Sequence, residues 1–219
     1  MSLKMEPNQS QYYDDQYFSW QKIIGQFGGK NNLYLFKDFI KPSDCVVDFG
    51  CGGGYLLANL PNCEKVGVEI NEQCRATALE NGITTVKNID DLEDNWADVI
   101  ISNHTLEHTF NPYDILKGLY LKLKEGGYII FVIPHEIKWP YKPNDKNQHL
   151  YTWSPMCAGN LFHATGYKVE EVKTFRYLWP PYGYVQIRKY LGKTIFDFIC
   201  RIYSILFGRW YHVRVTARK

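Results

Sequence analysis

A chain of 219 residues, 45% hydrophobic and 22% charged, is long enough to bury one α/β core and short for two ordinary domains. Its formal charge of +2 gives no argument for a nucleic-acid partner, so none is expected, and any basic character must be local. A polar Met1–Ser10, the lack of an uncharged run of about 18 apolar residues, and six cysteines without CxxC spacing argue against secretion, a spanning helix and a disulfide scaffold, so a cytoplasmic protein with reduced thiols is expected.

Apolar residues at Tyr13, Tyr17, Trp20, Ile23, Ile24 and Phe27 recur near the 3.6-residue period and predict a helix over Tyr12–Phe27 that ends at Gly28-Gly29. Asn32–Ile40 follows as a second helix, stopped before Pro42. The pattern then becomes strand Cys45–Phe49, helix Tyr55–Leu60, strand Lys65–Ile70, helix Glu72–Asn81 closed at Gly82, and strand Thr84–Lys87. Strand Asp98–Ser102, helix Pro112–Leu123 and strand Tyr128–Ile133 continue it. Pro134–Ser154, rich in Pro, Asn, His and aromatics, is a loop. Helix Pro155–Thr165, strand Lys168–Thr174, a long helical pattern over Ile187–Phe207 and an alternating strand Tyr211–Ala217 complete the chain. Strands and helices in this alternation imply a parallel sheet with helices on both faces, and a ligand outside the carboxyl ends of the strands.

Asp48-x-Gly50-Cys51-Gly52-Gly53-Gly54 follows a strand and opens a helix. Glycines there permit positive φ and let backbone amides approach a ligand closely. Glu69 stands at the end of the next strand, about 20 residues on, where a carboxylate accepts both hydroxyls of a ribose. Together they point to a ribose-containing cofactor. A nucleoside triphosphate is disfavoured because no GxxxxGK[ST] occurs, and a dinucleotide because Tyr55 occupies the sixth position of GxGxxG. S-adenosylmethionine (SAM), which has no phosphate, suits the wider glycine loop.

Here the sequence resembles the class I SAM-dependent methyltransferases, whose first motif reads acid-x-Gly-x-Gly-x-Gly. The likeness extends from about Asn31 to Val172. Lys65–Asn71 is similar to the second motif, Asp98–His108 to the fourth strand with its Leu-Glu-His signature, and Leu123–Pro134 to the fifth strand with its preceding turn. His149-Leu150-Tyr151-Thr152-Trp153-Ser154 with Gly166-Tyr167 looks like a later segment of members acting on small molecules, quinones and glycans. The resemblance implies a seven-stranded Rossmann-like sheet, mostly parallel with an antiparallel last strand, and SAM as cofactor with S-adenosylhomocysteine as product. It implies that Asp48, Gly50, Cys51 and Gly52 form the cofactor loop, that Glu69 holds the ribose, that Ile70 faces the adenine, that the backbone at Asn103 takes the amino group, and that either Asp90 or Asp91 reads the adenine amine.

Methyl transfer from a sulfonium needs alignment and, for a hydroxyl acceptor, removal of a proton. His104, at the carboxyl end of the fourth strand, is the first choice for base or acceptor-orienting group, with a loop-fixing role as its structural alternative. His149 lies beside Tyr151 and Trp153 in the loop after the fifth strand and is the second catalytic candidate; His135 is a third, while His163 and His212 read as ordinary. No metal is expected, because no cluster of ligands at metal spacing occurs.

The expected plan is one methyltransferase domain over 1–219: a helical lid at 1–40, with Tyr13 and Lys30 as contacts on the cofactor side, a SAM-binding core at 41–174, a substrate or lid insertion with an amphipathic helix at 175–210, and a final strand at 211–217. The expected acceptor is a hydroxyl or amine on a small molecule or a saccharide, lipid-linked glycans included. The rival readings are a noncatalytic SAM-binding protein and a nicotinamide-dependent oxidoreductase. The last helix carries more apolar residues than one core stripe requires, with Arg188, Lys189, Lys193, Arg201 and Arg209 around them. That pattern suits either peripheral contact with the inner face of a membrane or a homodimer interface.

Overall fold

The computed structural model describes residues 24–61, 63–136, 140–143, 145, 147–207 and 211–219. The predicted helix lies outside these residues from Tyr12 to position 23, as do Tyr13 and Arg209. Helix α1 is described over 24–31 and runs through Gly28-Gly29 rather than ending there. Those glycines serve packing, not termination: a Cβ on Gly29 would stand 2.6 Å from the backbone of Tyr55. The predicted second helix is two 3-10 turns, Asn32–Leu35 and Lys37–Phe39, separated because Phe36, at φ −125°, leaves the helical region.

The strands are β1 (Cys45–Phe49), β2 (Glu64–Val68), β3 (Thr84–Val86), β4 (Ala97–Asn103), β5 (Leu123–His135), β6 (Lys168–Phe175) and β7 (Tyr211–Arg218). They follow the order β3-β2-β1-β4-β5-β7-β6 in a seven-stranded sheet. β1 pairs in parallel with β2 and β4, β2 in parallel with β3, and β6 with β7 antiparallel, the sheet class expected from sequence. The helices after α1 are α2 (Glu72–Glu80), α3 (Pro112–Lys122), α4 (Pro155–Ala164) and α5 (Tyr184–Phe207). The helix predicted over Tyr55–Leu60 shrinks to a 3-10 turn, Leu57–Asn59, because Pro61 drives Leu60 into extended backbone at φ −71°, ψ 156°.

Two compact units divide the chain. The first holds the described residues up to Asn103, with Gly118–Tyr128 and Lys219. Val46 and Val47 of β1 and Ile100 and Ile101 of β4 are buried with Phe36, Leu57 and Ala78. Such unbroken apolar runs suit parallel strands covered on both sides. Asn71 caps α2, its side chain accepting from the Cys74 amide at 3.0 Å. β5 begins at Leu123, before the predicted Tyr128, because Gly126 and Gly127 exchange backbone hydrogen bonds with Lys219 at 3.2 Å.

The second unit holds His104–Lys117 and Ile129–Arg218. Phe131 of β5 and Phe162 of α4 meet edge to face at 5.5 Å, and the buried Tyr167 hydroxyl donates to the Leu116 carbonyl at 3.0 Å. Val213 and Val215 alternate inward on β7. Ser154 caps α4 and Pro155 opens it. α5 buries Phe196, Cys200 and Ser204 along one stripe and is kinked at Gly192, whose φ of 76° and ψ of 176° are not helical.

Candidate functional site

In the first unit, β1 delivers Asp48 to the start of the glycine loop. Gly50, Gly52 and Gly54 take φ of 77°, 53° and 72°, values that a side chain would make costly. The amides of Gly50 and Cys51 donate to the Val68 carbonyl at 2.8 and 3.2 Å, which ties the loop to the end of β2. Gly67 makes that approach possible, since a Cβ there would overlap Cys51 Sγ and stand 2.9 Å from its Cβ.

Glu69 follows β2 and joins the same construction. Its Oε2 accepts from the Gly52 amide and its Oε1 from the Asn71 amide, both at 2.9 Å. Burial pushes the Glu69 carboxyl up, and these amide bonds pull it only part of the way back. Burial, and then the charge of Glu69, pushes the Asp48 carboxyl up to about 8. Burial likewise raises the Cys51 thiol well above its usual range, so it is no nucleophile. Arg75 Nη1 donates to the carbonyls of Glu69 and Ile70 at 2.9 and 2.7 Å, fixing the corner on which both residues sit.

Asp90 and Asp91 lie in a 3-10 turn after β3 and differ in commitment. Asp91 Oδ2 accepts from the Asn88 amide at 2.9 Å as half of a capping box, so its carboxylate already serves the turn. The exposed Asp90 has no such duty. Asn103 ends β4, where its neighbour Ser102 donates to the Phe49 carbonyl at 2.8 Å. All eight residues expected on the cofactor side thus lie in one unit, at the ends of β1, β2, β3 and β4 or just beyond them. Sequence reading gave no role to the Tyr55 hydroxyl, which is buried without a hydrogen-bond partner and within 3.0 Å of where a Gly53 Cβ would stand. Lys30 is exposed at the end of α1.

In the second unit, His104 takes φ of 57°, unusual for a residue with a side chain, and its amide donates to the Val132 carbonyl at 2.8 Å. Its Nδ1 lies 3.0 Å from Glu107 Oε1 and its Nε2 2.9 Å from His212 Nδ1. With both nitrogens engaged, His104 presents no unshared lone pair in this arrangement. His212, which the sequence marks as ordinary, is therefore the residue that reading missed; it alternates with the buried Val213 and Val215, so the pattern of β7 gave no signal for it. Burial, with the nearby His104, lowers its pKa to about 3.

Glu107 is fully buried, with Oε2 lacking a hydrogen-bond partner. Burial alone would raise its pKa, but the His104 hydrogen bond and the field of His104, His108 and His149 hold it below the usual range. His149 Nδ1 stands 3.0 Å from Glu136 and its Nε2 3.9 Å from Glu107. Burial opposes its charge, yet these carboxylates leave its pKa raised, whereas burial of His108 leaves that ring lowered. One ligand atom each of Glu107, His108 and His149 lies within 4.8 Å of the others, a donor set of the kind divalent transition metals accept. Ligand spacing did not reveal it, because the third member comes from a distant loop.

That loop is anchored: Trp153 donates its amide to the Pro134 carbonyl at 3.0 Å, His135 Nδ1 lies 2.6 Å from the Trp153 carbonyl, and Tyr151 stacks on Trp153. Around His212 stand Phe175, stacked at 5.1 Å, and Tyr211, over which Arg176 lies at 4.1 Å. Tyr177, Trp179 and Tyr184 continue the aromatic series. Such ring faces and hydroxyls suit sugars and planar acceptors.

The model of one family, described as a methyltransferase domain, matches residues 22–172. A ubiquinone biosynthesis O-methyltransferase of Vibrio vulnificus is 25% identical over 146 residues, covering 58% of this chain and 62% of that protein. Phosphoethanolamine N-methyltransferase 3 of Arabidopsis thaliana is 25% identical over 138 residues, 55% of this chain and 28% of its own length. The chain thus spans less than two thirds of the curated relatives it matches. Among solved structures, phosphoethanolamine N-methyltransferase 2 of Haemonchus contortus, in complex with phosphomonomethylethanolamine and S-adenosylhomocysteine, shares the fold with a TM-score of 0.69 at 17% identity, covering 96% of this chain and 59% of that one.

Proposed function

Because this chain belongs to the methyltransferase-domain family, we propose that it transfers the methyl group of SAM to a hydroxyl or amine of a small-molecule or saccharide acceptor, lipid-linked glycans included. The observation that carries this reading is the junction of the glycine loop with Glu69. Backbone amides at Gly52 and Asn71 hold that carboxylate in place at a strand end while leaving lone pairs for ribose hydroxyls. The buried Asp48 and half-buried Glu69, both raised by burial, are carboxyl groups to which a ligand with donors and positive charge is suited. SAM has both and brings its methyl group already activated on a sulfonium.

Gly50, Cys51 and Gly52 line the methionine part and ribose, Ile70 the adenine face, Asp90 the adenine amine, and the Asn103 backbone the amino group. His104 and His149 serve the acceptor. Their carboxylate partners fix both rings, so His104 orients the acceptor, and it acts as a base only after yielding its contact with His212. The relatives named above are an O-methyltransferase and an N-methyltransferase, which is why both acceptor atoms are kept. The test combines titration calorimetry with SAM and NADH and incubation with SAM and fractionated extract, followed by mass spectrometry. A product heavier by one methyl, with S-adenosylhomocysteine formed in step, is expected. SAM binding without any methylated product would favour a noncatalytic SAM-binding protein, and binding of NADH alone an oxidoreductase.

A further inference from the structure

Helix α5 is apolar on two opposite sides. Phe196, Cys200 and Ser204, four residues apart, form the buried stripe. Ile195, Phe198, Ile202 and Ile205 recur at intervals of three and four residues, which at 100° per residue centres them on the far side of the helix. All four are exposed, Phe198 at 62% and Ile205 at 69%. Lone exposed apolar residues are ordinary, but a continuous stripe opposite the core is an unpartnered surface.

Charge indicates what covers it. α5 carries Arg188, Lys189, Lys193 and Arg201 against a single carboxylate, Asp197, which is already paired with Lys193 and accepts from the Tyr177 hydroxyl. Beyond the break at Gly192, Arg201 flanks the stripe while Asp197 lies toward the buried side with Lys193, so a second copy packed on the stripe would bring Arg201 to a helix face with no uncommitted carboxylate to answer it. An anionic lipid surface answers it directly, and the exposed Tyr182 and Tyr190 flanking the helix start are residues suited to the headgroup layer. Among the described residues no helix is long and apolar enough to cross a membrane, so on a lipid surface α5 would lie in the plane of that surface. We propose that α5 docks the protein on anionic lipid, with the Ile195–Phe198–Ile202–Ile205 stripe in the acyl boundary and Lys189 and Arg201 among the phosphates.

Flotation with phosphatidylcholine vesicles containing increasing phosphatidylglycerol tests this. Bound protein should rise with phosphatidylglycerol and fall with salt. Lys189→Glu with Arg201→Glu should weaken vesicle affinity about ten-fold or more, and Phe198→Asp with Ile202→Asp should abolish flotation. Because all four positions are exposed, both variants should keep the melting temperature and SAM affinity of the parent, which separates this test from the cofactor assignment. Three results would overturn the proposal: no flotation of the parent at low salt, equal flotation on neutral vesicles, or unchanged flotation of folded variants. A parent that stays off vesicles and sediments as a dimer, lost on Phe198→Asp, assigns the stripe to a second copy instead.

Discussion

Replacing Glu69 with alanine removes a carboxylate with two structural duties and one proposed functional duty. Structurally, the Gly52 and Asn71 amides lose acceptors at 2.9 Å. At about 1 kcal/mol each, less whatever water recovers, stability should fall by roughly 1–2 kcal/mol, several degrees of melting temperature for a chain of this size. Functionally, each charge-assisted bond to a ribose hydroxyl is worth roughly 1.5–3 kcal/mol, so SAM affinity should fall between about 10-fold and 150-fold per bond. Titration calorimetry reads the loss, and an S-adenosylhomocysteine analogue without ribose hydroxyls isolates its origin. The parent should bind that analogue much more weakly than S-adenosylhomocysteine; Glu69→Ala should barely distinguish the two. If the substituted protein still discriminates as the parent does, the ribose assignment is wrong and Glu69 only braces the loop.

Gly67→Ala should destabilise by about 1–3 kcal/mol and weaken SAM binding, because its Cβ collides with the Cys51 side chain; adding Cys51→Ala should recover much of both, and purely additive losses in a thermal and calorimetric series would refute the steric account. His104→Asn, chosen because asparagine tolerates positive φ, should lower turnover about 100-fold with SAM affinity kept, and normal turnover would return His104 to loop fixing. With its folded pKa raised to about 8 and an unfolded value near 4, Asp48 gives the ligand-free protein stability that is full below about pH 4 and lost as pH rises through about 8. Asp48→Asn should flatten the stability profile across that window, and parallel denaturation curves for both proteins would show that Asp48 is not buried as an acid.

The sheet was legible because its signals are local: apolar runs at β1 and β4, and an alternating β7, each announce a strand without help from distant residues. The glycine loop was legible for the same reason, with Glu69 one strand onward. What sequence hid was set by tertiary contact. Gly28-Gly29 resembles a helix stop until Tyr55 is seen packed on it, and Gly126-Gly127 resembles a turn until Lys219 pairs across it. Asp90 and Asp91 became distinct only when Asn88 claimed one of them. The partnership of His104 with His212 joins residues 108 positions apart, a separation no periodicity reports.

The close fit of α1 on Tyr55 bears on how freely parts of this protein could be exchanged with those of its relatives. At Gly25 and Gly29 an added methyl group would stand 2.5 and 2.6 Å from Tyr55 atoms, so helix and loop are shaped to one another as a matched pair. A transplanted N-terminal helix must therefore bring small residues to both positions, or arrive together with a smaller residue at 55. Grafts that ignore this coupling should fold poorly even when every contact to the cofactor is copied faithfully.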